Sequence, residues 1–475
     1  MVYSYKRLSF VAILIILAAG VFSTCVQPSA GTDLRGEAYA GSASCQKCHQ
    51  AVCNIYAHAA HSQTSAAGDK NSVKGSFAAG ANRYVYKPGM EVVMEARDSG
   101  LFQVATTAGE GSGAGDAATA AGGAAVKKEA HRFDVVMGSG RKAQTYLYWV
   151  GDQAFELPIS YFVTTHSWAN SPGFPTDYIK FGRTIPVLCF QCHSSFIQQK
   201  PPIRVDAFNQ IDQFDKTQVI YGIDCERCHG PAAKHVAWQE EHPQDHTANY
   251  IARVTTLSRQ QKLDMCALCH SGSHKMQLSA FGFKPGDRLS NYYYPESRIA
   301  ATPANMDVHG NQYQLLMASQ CMLKSKTLDC TGCHDPHKKE RDNLALFSQR
   351  CMSCHQPDSA GHAGGSGYAA VDAHRPAGVS TSADTHRSAG AGASTSADRR
   401  MAGTDSVARF CRLAVSLGTA VLAANCIDCH MPDQSSKIIT LQTEGQKDPV
   451  ADKVRSHYIA IYPEETKKFL AAMKH

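Results

Sequence analysis

What the chain lacks narrows it first. It has no apolar run long enough to cross a bilayer comfortably. The most sustained one extends from about Leu8 to Phe22, behind Lys6 and Arg7, and falls short of the roughly 20 residues a spanning helix needs. A positive flank followed by a short apolar run has the shape of a secretory signal peptide, expected over residues 1–24. Cys25 stands where a lipoprotein signal places its lipidated residue, which would give a membrane anchor. The other reading is an ordinary signal cleaved near Ala30, with Cys25 discarded. A large excess of one charge is missing too. The formal net charge is +6, and losing Lys6 and Arg7 with the signal leaves +4, a weak basis for a nucleic-acid partner. Large apolar residues are almost absent from about Gln356 to Ala408, where "HRPAGVSTSAD" and "HRSAGAGASTSAD" form a near repeat. Such a composition cannot offset its own ordering entropy, so 356–408 is expected to be a mobile low-complexity insertion. Its His362, His374 and His386 are poor ligand candidates for that reason.

Cysteine, by contrast, is abundant: 18 residues, of which 14 fall into seven copies of CxxCH. The copies are Cys45–Cys48–His49, Cys189–Cys192–His193, Cys225–Cys228–His229, Cys266–Cys269–His270, Cys330–Cys333–His334, Cys351–Cys354–His355 and Cys426–Cys429–His430. Two thiols at this spacing add across the two vinyl groups of a haem, and the adjacent histidine is held beneath the iron as its proximal ligand. Zinc ribbons also pair CxxC with CxxC, but zinc has no need of a histidine directly after every pair. A redox dithiol would appear once, not seven times. Seven covalently attached haems c are therefore expected. Each ferric haem with its two propionates contributes about −1, so the loaded protein should be near neutral or mildly acidic. The four remaining cysteines are Cys25, Cys53, Cys321 and Cys411. The last three either pair or lie buried as small hydrophobes.

The motifs are unevenly spaced. Cys45 precedes Cys189 by 144 residues, the next two intervals are 36 and 41, the fifth and sixth motifs are 21 apart, and the seventh lies 75 further on. The short interval should make haems five and six neighbours. The organisation expected is a linker over 25–44, a first haem segment over 45–80 and a β-rich insertion over 81–175. A haem core with five motifs follows over 176–355, and after the low-complexity insertion a seventh haem segment and C-terminal helix occupy 409–475. The insertion is rich in Val, Tyr, Phe and Thr with turn signals at Pro-Gly, Ser-Gly and Gly-Asp, which suggests four to six strands. A Gly/Ala loop at 106–128 interrupts them. Elsewhere the fold should be mainly α and irregular, short helices and loops around stacked haems, because porphyrins supply much of the buried apolar surface. Without haem the fold should largely fail.

The sixth ligand decides what each iron can do. A second histidine closes it for electron transfer, a methionine closes it at higher potential, and a vacant position admits substrate. Twelve histidines outside the motifs and the low-complexity segment are available for seven irons. The stronger candidates are His61 in "AHAAHSQT", where His58 competes, His235 in "CHGPAAKHV", His309 in "MDVHGNQYQ", His337 in "CHDPH" and His457 in "RSHYIAI". His274 and His166 are weaker, and Met431 in "CIDCHMP" reads better as packing against a porphyrin edge.

Taken together, "GSASCQKCHQAVCNIYAHAAHS", "GIDCERCHGPAAKHV", "VHGNQYQLLMASQCMLKSKTLDCTGCHDPH" and "NCIDCHMP" resemble the cytochrome c-552/4 family of multihaem cytochromes. The stretch from Gly138 to Phe174 resembles an insertion of its longer members. The resemblance covers most of 40–355 and 424–460. It implies an electron-transfer protein of the periplasm or outer surface with mostly bis-histidine haems, and it supports His61, His235, His309 and His457 as distal ligands. Seven motifs instead of the four of the smallest members, and the two inserts, are departures.

The expected function is electron transfer between redox-partner proteins in the periplasm or at the outer membrane. The alternative is a multihaem reductase of a small nitrogen or sulfur oxyanion with one open iron. "CIDCHMP" is similar to a motif of multihaem nitrite reductases, but CxxCK, which marks the catalytic haem in one such class, is absent. A third reading makes the chain a conductive subunit stacked into a longer assembly.

Overall fold

The structure is a computed structural model that describes residues 33–108, 126–272, 276–294, 302–355 and 419–472. Cys25, Cys411, His274, the signal segment, the low-complexity insertion and most of the Gly/Ala loop lie outside the described residues. The chain divides into two units. The first comprises residues 1–341 and 431–460, with motifs one to five, and the second comprises 342–430 and 461–475, with motifs six and seven.

In the first unit, helix α1 (Ser42–Tyr56) carries the first motif. A two-sheet β region follows. Strands β2 (Arg83–Lys87), β3 (Met90–Arg97), β4 (Gly100–Ala108) and β5 (Val126–Arg132) form an antiparallel meander. The second sheet runs β1 (Ser65–Ala67), β6 (Val135–Met137), β7 (Ala143–Val150), β8 (Gln153–Glu156) and β11 (Arg183–Thr184), with β9 (Ile159–Phe162) on β7 and β10 (Ser167–Asn170) on β9. Period-two patterning explains the meander: on β3, Val92 and Met94 are fully buried and alternate with partly exposed neighbours. Between the sheets, Phe133, Tyr146, Leu157, Ile159 and Trp168 pack with them in one cluster. Buried Gln103 ties the sheets together. Its amide donates to the Ile159 carbonyl at 2.6 Å and its oxygen accepts from the Ile159 N–H at 3.2 Å, which satisfies polar groups that burial would otherwise leave costly.

Beyond the β region come α2 (Val187–His193), the hairpin β12 (Ser194–Arg204) and β13 (Gln210–Tyr221), α3 (Cys225–His229), α4 (Ala233–Glu241), α5 (Arg259–His270), α6 (Gln312–Met317) and α7 (Gln320–Lys324). Strands β14 (Asp433–Leu441) and β15 (Val450–Arg455) form a second hairpin in this unit. The second unit holds α8 (Leu344–Met352), α9 (Thr419–His430) and α10 (Pro463–Ala472).

Short helices and irregular segments surround the motifs, as expected, but sheet is more extensive than "mainly α" allows. Nine strands among the described residues, β2 to β10, fall within 81–175 where four to six were expected, and both later hairpins were unforeseen. The β12–β13 hairpin was hidden by Pro201 and Pro202, which argue against a regular strand. They sit at a register irregularity between Lys200 and Ile203, where a missing N–H is tolerated.

Candidate haem-binding site

Each motif occupies about one helical turn, usually the last of its helix. Motifs two, four and seven end α2, α5 and α9 at the motif histidine, and motif three is α3 in its entirety. Cysteines three apart share a helix face, so both thiols of a motif point the same way. Side-chain caps fix several of these turns. Asp224 accepts the Arg227 N–H at 3.0 Å, Ser258 and Gln261 form a reciprocal box at the start of α5, and Asp329 accepts the Thr331 N–H at 2.8 Å.

Thiols of different motifs meet. Hydrogen-bonding contacts join Cys45 to Cys225, Cys192 to Cys269 and Cys266 to Cys330 in the first unit, and Cys351 to Cys426 in the second. Neighbourhood therefore does not follow sequence order. Motif three adjoins motif one, and motif four adjoins both two and five. In the second unit, motif six adjoins motif seven. Among the described residues, no three His, Cys, Asp or Glu side chains gather into a metal cage, so the four-ligand zinc arrangement does not form there.

The histidines pair across motifs. Ring centroids lie 6.1 Å apart for His61 and His270, 6.0 Å for His229 and His337, and 6.0 Å for His334 and His457. Two imidazoles bound trans to one metal, each about 2 Å away through nitrogen, have centroids about 6 Å apart, so these pairs have the spacing a six-coordinate iron requires. The planes are nearly perpendicular in the first pair, at 83°, and within 25° of parallel in the other two. His309 is near enough to His193 to disfavour its charge. The Nδ1–H of His235 donates to the Asn249 carbonyl at 2.8 Å, leaving Nε2 for a metal. Its helix α4 lies beside motif one, where Lys47 and Glu240 approach to 3.6 Å.

Burial disfavours the charged form of several of these rings. It pushes the pKa of His270 and His457 down to about 4 and lowers those of His61, His193, His229 and His309. A neutral imidazole is what a metal binds. Buried Nδ1 atoms of His193 and His457 lack a hydrogen-bond partner, and His270 keeps accessible ring surface despite its depth. Cysteine pairs and neutral histidines as donors thus fit haem c. His58 and His166 are exposed, as the paired His309 and His334 also are. His166 sits in a turn at φ 50°.

The pairing rests on close approach of separate segments. At Gly222, φ is +67° and a Cβ would lie 2.2 Å from the Ser62 carbonyl oxygen, so only glycine fits. The Ile223 N–H then donates to the His61 carbonyl at 2.9 Å. Ser319, fully buried, donates to the His457 carbonyl at 3.0 Å and accepts the Ile459 N–H at 2.8 Å. Asp307 accepts the His309 N–H at 2.8 Å and the Ser436 hydroxyl at 3.0 Å, tying that turn to β14.

Sequence reasoning missed the residues between the cysteines of motif three. Glu226 accepts the backbone N–H groups of Ala40 and Gly41 at 2.9 Å and Ala232 at 2.8 Å, and pairs with Arg35 at 2.9 Å. Arg227 donates to the carbonyls of Gln191, at 2.8 Å, and Ala280. Nothing in the pattern CxxCH marks these positions.

The family model described as cytochrome c554 and c-prime matches residues 180–230, which include motifs two and three. Multiheme cytochrome MtrA of Shewanella baltica (strain OS185) is 23% identical over 181 residues, 35% of this chain and 51% of that protein. The chain therefore spans about half the length of this curated relative. The crystal structure of outer cell wall cytochrome OcwA aligns over 91% of this chain and 81% of its own at 15% identity with a TM-score of 0.44, too slight a likeness to argue from.

Proposed function

We propose that the chain is a multihaem c-type cytochrome that carries seven covalently bound haems and transfers electrons between redox-partner proteins in the periplasm or at the outer membrane. The observation that carries this reading is the facing of motif histidines by non-motif histidines at 6.0–6.1 Å. We assign His61 opposite His270, His337 opposite His229 and His457 opposite His334. On the same reasoning His309 serves His193 and His235 serves His49. Bound haem supplies a one-electron couple at iron whose potential depends on ligands, burial and nearby charge.

The chain supplies the rest. The lowered pKa values of His61, His270, His309 and His457 favour the neutral form that a metal binds, the cysteine turns would fix the attachment edge, and backbone anchors at Ile223 and Ser319 hold His61 and His457 in place. With these five histidine pairs holding iron, the first unit would offer substrate no open position, which favours a carrier there. Cys25 would provide lipid anchoring if it survives signal cleavage. No helix among the described residues is long and apolar enough to cross a membrane.

The test is EPR of the fully oxidised protein, with pyridine haemochrome counting the haems. Seven haems with at least five low-spin irons are expected. A His61/His270 site with nearly perpendicular rings should give a strongly anisotropic low-spin signal, and the two near-parallel pairs a rhombic one. A high-spin signal that moves with added nitrite or hydroxylamine would replace the carrier reading with the reductase.

A further inference from the structure

Motif three stands between two different charge environments, set by its two interior residues. Glu226, 3% exposed, points towards motif one, and its carboxylate accepts the Ala40 and Gly41 N–H groups just ahead of Cys45. Around it lie Asp33 and Asp224, with Arg35 as the shared cation. Arg35 bonds Asp33 at 2.8 Å, Asp224 at 2.7 Å and Glu226 at 2.9 Å, with all four side chains at most 8% exposed. Three carboxylates against one guanidinium leave this side with a net charge of −2.

The next residue faces the other way. Arg227, 8% exposed, donates to the carbonyl of Gln191, which lies between the cysteines of motif two. The Cys269 sulfur of motif four is 4.0 Å from that same carbonyl. The other contacts of Arg227 are the Ala280 carbonyl and the Phe281 ring, 5.4 Å from its guanidinium carbon. Among the described residues no carboxylate pairs with it. An arginine does not lose its proton in a protein, so a full positive charge is buried where motifs two, three and four meet. It stands at the cysteine side of these motifs. Haem propionates project from the edge opposite the cysteine attachments, so this arginine is not placed as a propionate partner of those haems.

Buried charge acts strongly on a nearby redox centre, because the interior screens it poorly. Negative charge disfavours the electron and positive charge favours it. We propose that Glu226 and Arg227 form an oriented charge pair that holds the motif-one haem at lower potential and the haems at motifs two and four at higher potential. The downhill direction then runs from motif one through motif three to motif four. One electron leaves the iron at motif one and one arrives at motif four, with no atom or proton transferred. This rests on the electron-transfer reading above and adds its direction.

The test is a spectroelectrochemical titration of the full-length, haem-loaded protein and its variants, with pyridine haemochrome run on each sample. Arg227→Gln should move the high-potential end of the titration negative, Arg227→Lys should leave it near the wild-type position, and Glu226→Gln should move the low-potential end positive. Arg227 is buried, so a variant that perturbs no core is also needed. Ser279 is exposed, adjoins Ala280, caps its turn at the Phe281 N–H, and accepts from the Gln191 amide at 3.2 Å. Ser279→Asp keeps the capping oxygen and brings a carboxylate beside the junction. It should lower the same high-potential end, and Ser279→Asn should not.

With haem content intact, equal shifts in Arg227→Gln and Arg227→Lys would overturn the proposal in favour of a packing role. Unchanged potentials in Arg227→Gln and Ser279→Asp would overturn it too. Should Arg227→Gln fail to load haem, the two Ser279 variants decide alone. A wild-type sample without haem c would instead sink the carrier reading and the proposal with it.

Discussion

Within the first unit, the β region and the motif-bearing segments are stabilised by different means. Of the twelve largest fully buried side chains, all but Leu263 lie between Tyr84 and Phe214. Phe133, Tyr146 and Trp168 interlock there with centroids 4.6–6.0 Å apart, and apolar burial of this kind supports a fold by itself. Motif two shares a cluster with the sheets through Phe190, and the other motif segments have one small cluster around Ala267, Phe283 and Tyr293 among the described residues. Otherwise their motif cysteines and histidines stand half-buried or exposed, a surface left for a cofactor to cover. One region thus carries its own core, and the other depends on a cofactor to complete it.

The sharpest way to break that comparison is to withhold haem. Expressed without residues 1–24 in a cytoplasm that does not attach haem c, the chain should retain a protease-resistant core spanning Arg83–Phe162, while 225–355 is digested. Limited proteolysis with mass spectrometry reads the outcome directly. Uniform digestion of both regions would show that the sheets also need haem.

Truncating the β core comes next in size. Phe133→Ala, at a site with no exposure, should cost about 3–5 kcal/mol, seen as a lower midpoint in denaturant, with the haem count unchanged in protein that folds. Loss of haem from such a variant would mean that the two regions are stabilised together. At the seam between them, Gly222→Ala should cost roughly 2–4 kcal/mol, from positive-φ strain and the clash with Ser62. This variant should also disturb His61, visible as loss of the strongly anisotropic EPR signal while the two rhombic ones persist.

The same contrast explains what could be read from residues alone. CxxCH is legible because attachment chemistry fixes residue type and spacing within five residues. The histidines at 61, 235, 309, 337 and 457 stood out by local context, but the motif each one faces did not. His61 follows motif one by a single helix, yet its ring faces His270 of motif four, an arrangement set by Gly222 and the chain around it. The β region was legible in kind through its alternating Val and Tyr, but not in extent, because Pro201 and Pro202 disguised β12. Glu226 and Arg227 were invisible, since their importance comes from what folds against them.

The smallest effect should separate the regions by the sign of their pH dependence. Glu156 on β8 is buried, and burial raises its pKa from 4.5 to about 7 despite Arg183 at 3.3 Å. Between those values the folded state binds more protons than the unfolded, so this group lowers β-region stability as pH rises from about 4.5 to about 7. His270 and His457 behave oppositely. Their folded pKa values, about 4, lie below the ordinary histidine value of 6.5, so the unfolded state binds more protons and stability is lost as pH falls from 6.5 towards 4. Protons also compete with iron for the same nitrogens. Acidification from pH 7 to 5 should therefore loosen the motif segments, seen as faster hydrogen exchange around His270 and His457, while exchange in β7 and β8 slows. Glu156→Gln should abolish the second effect, worth about 1–2 kcal/mol, and leave the first intact. If both regions loosen together in the wild type, the Glu156 carboxyl is ionised in the folded chain and Arg183 outweighs its burial.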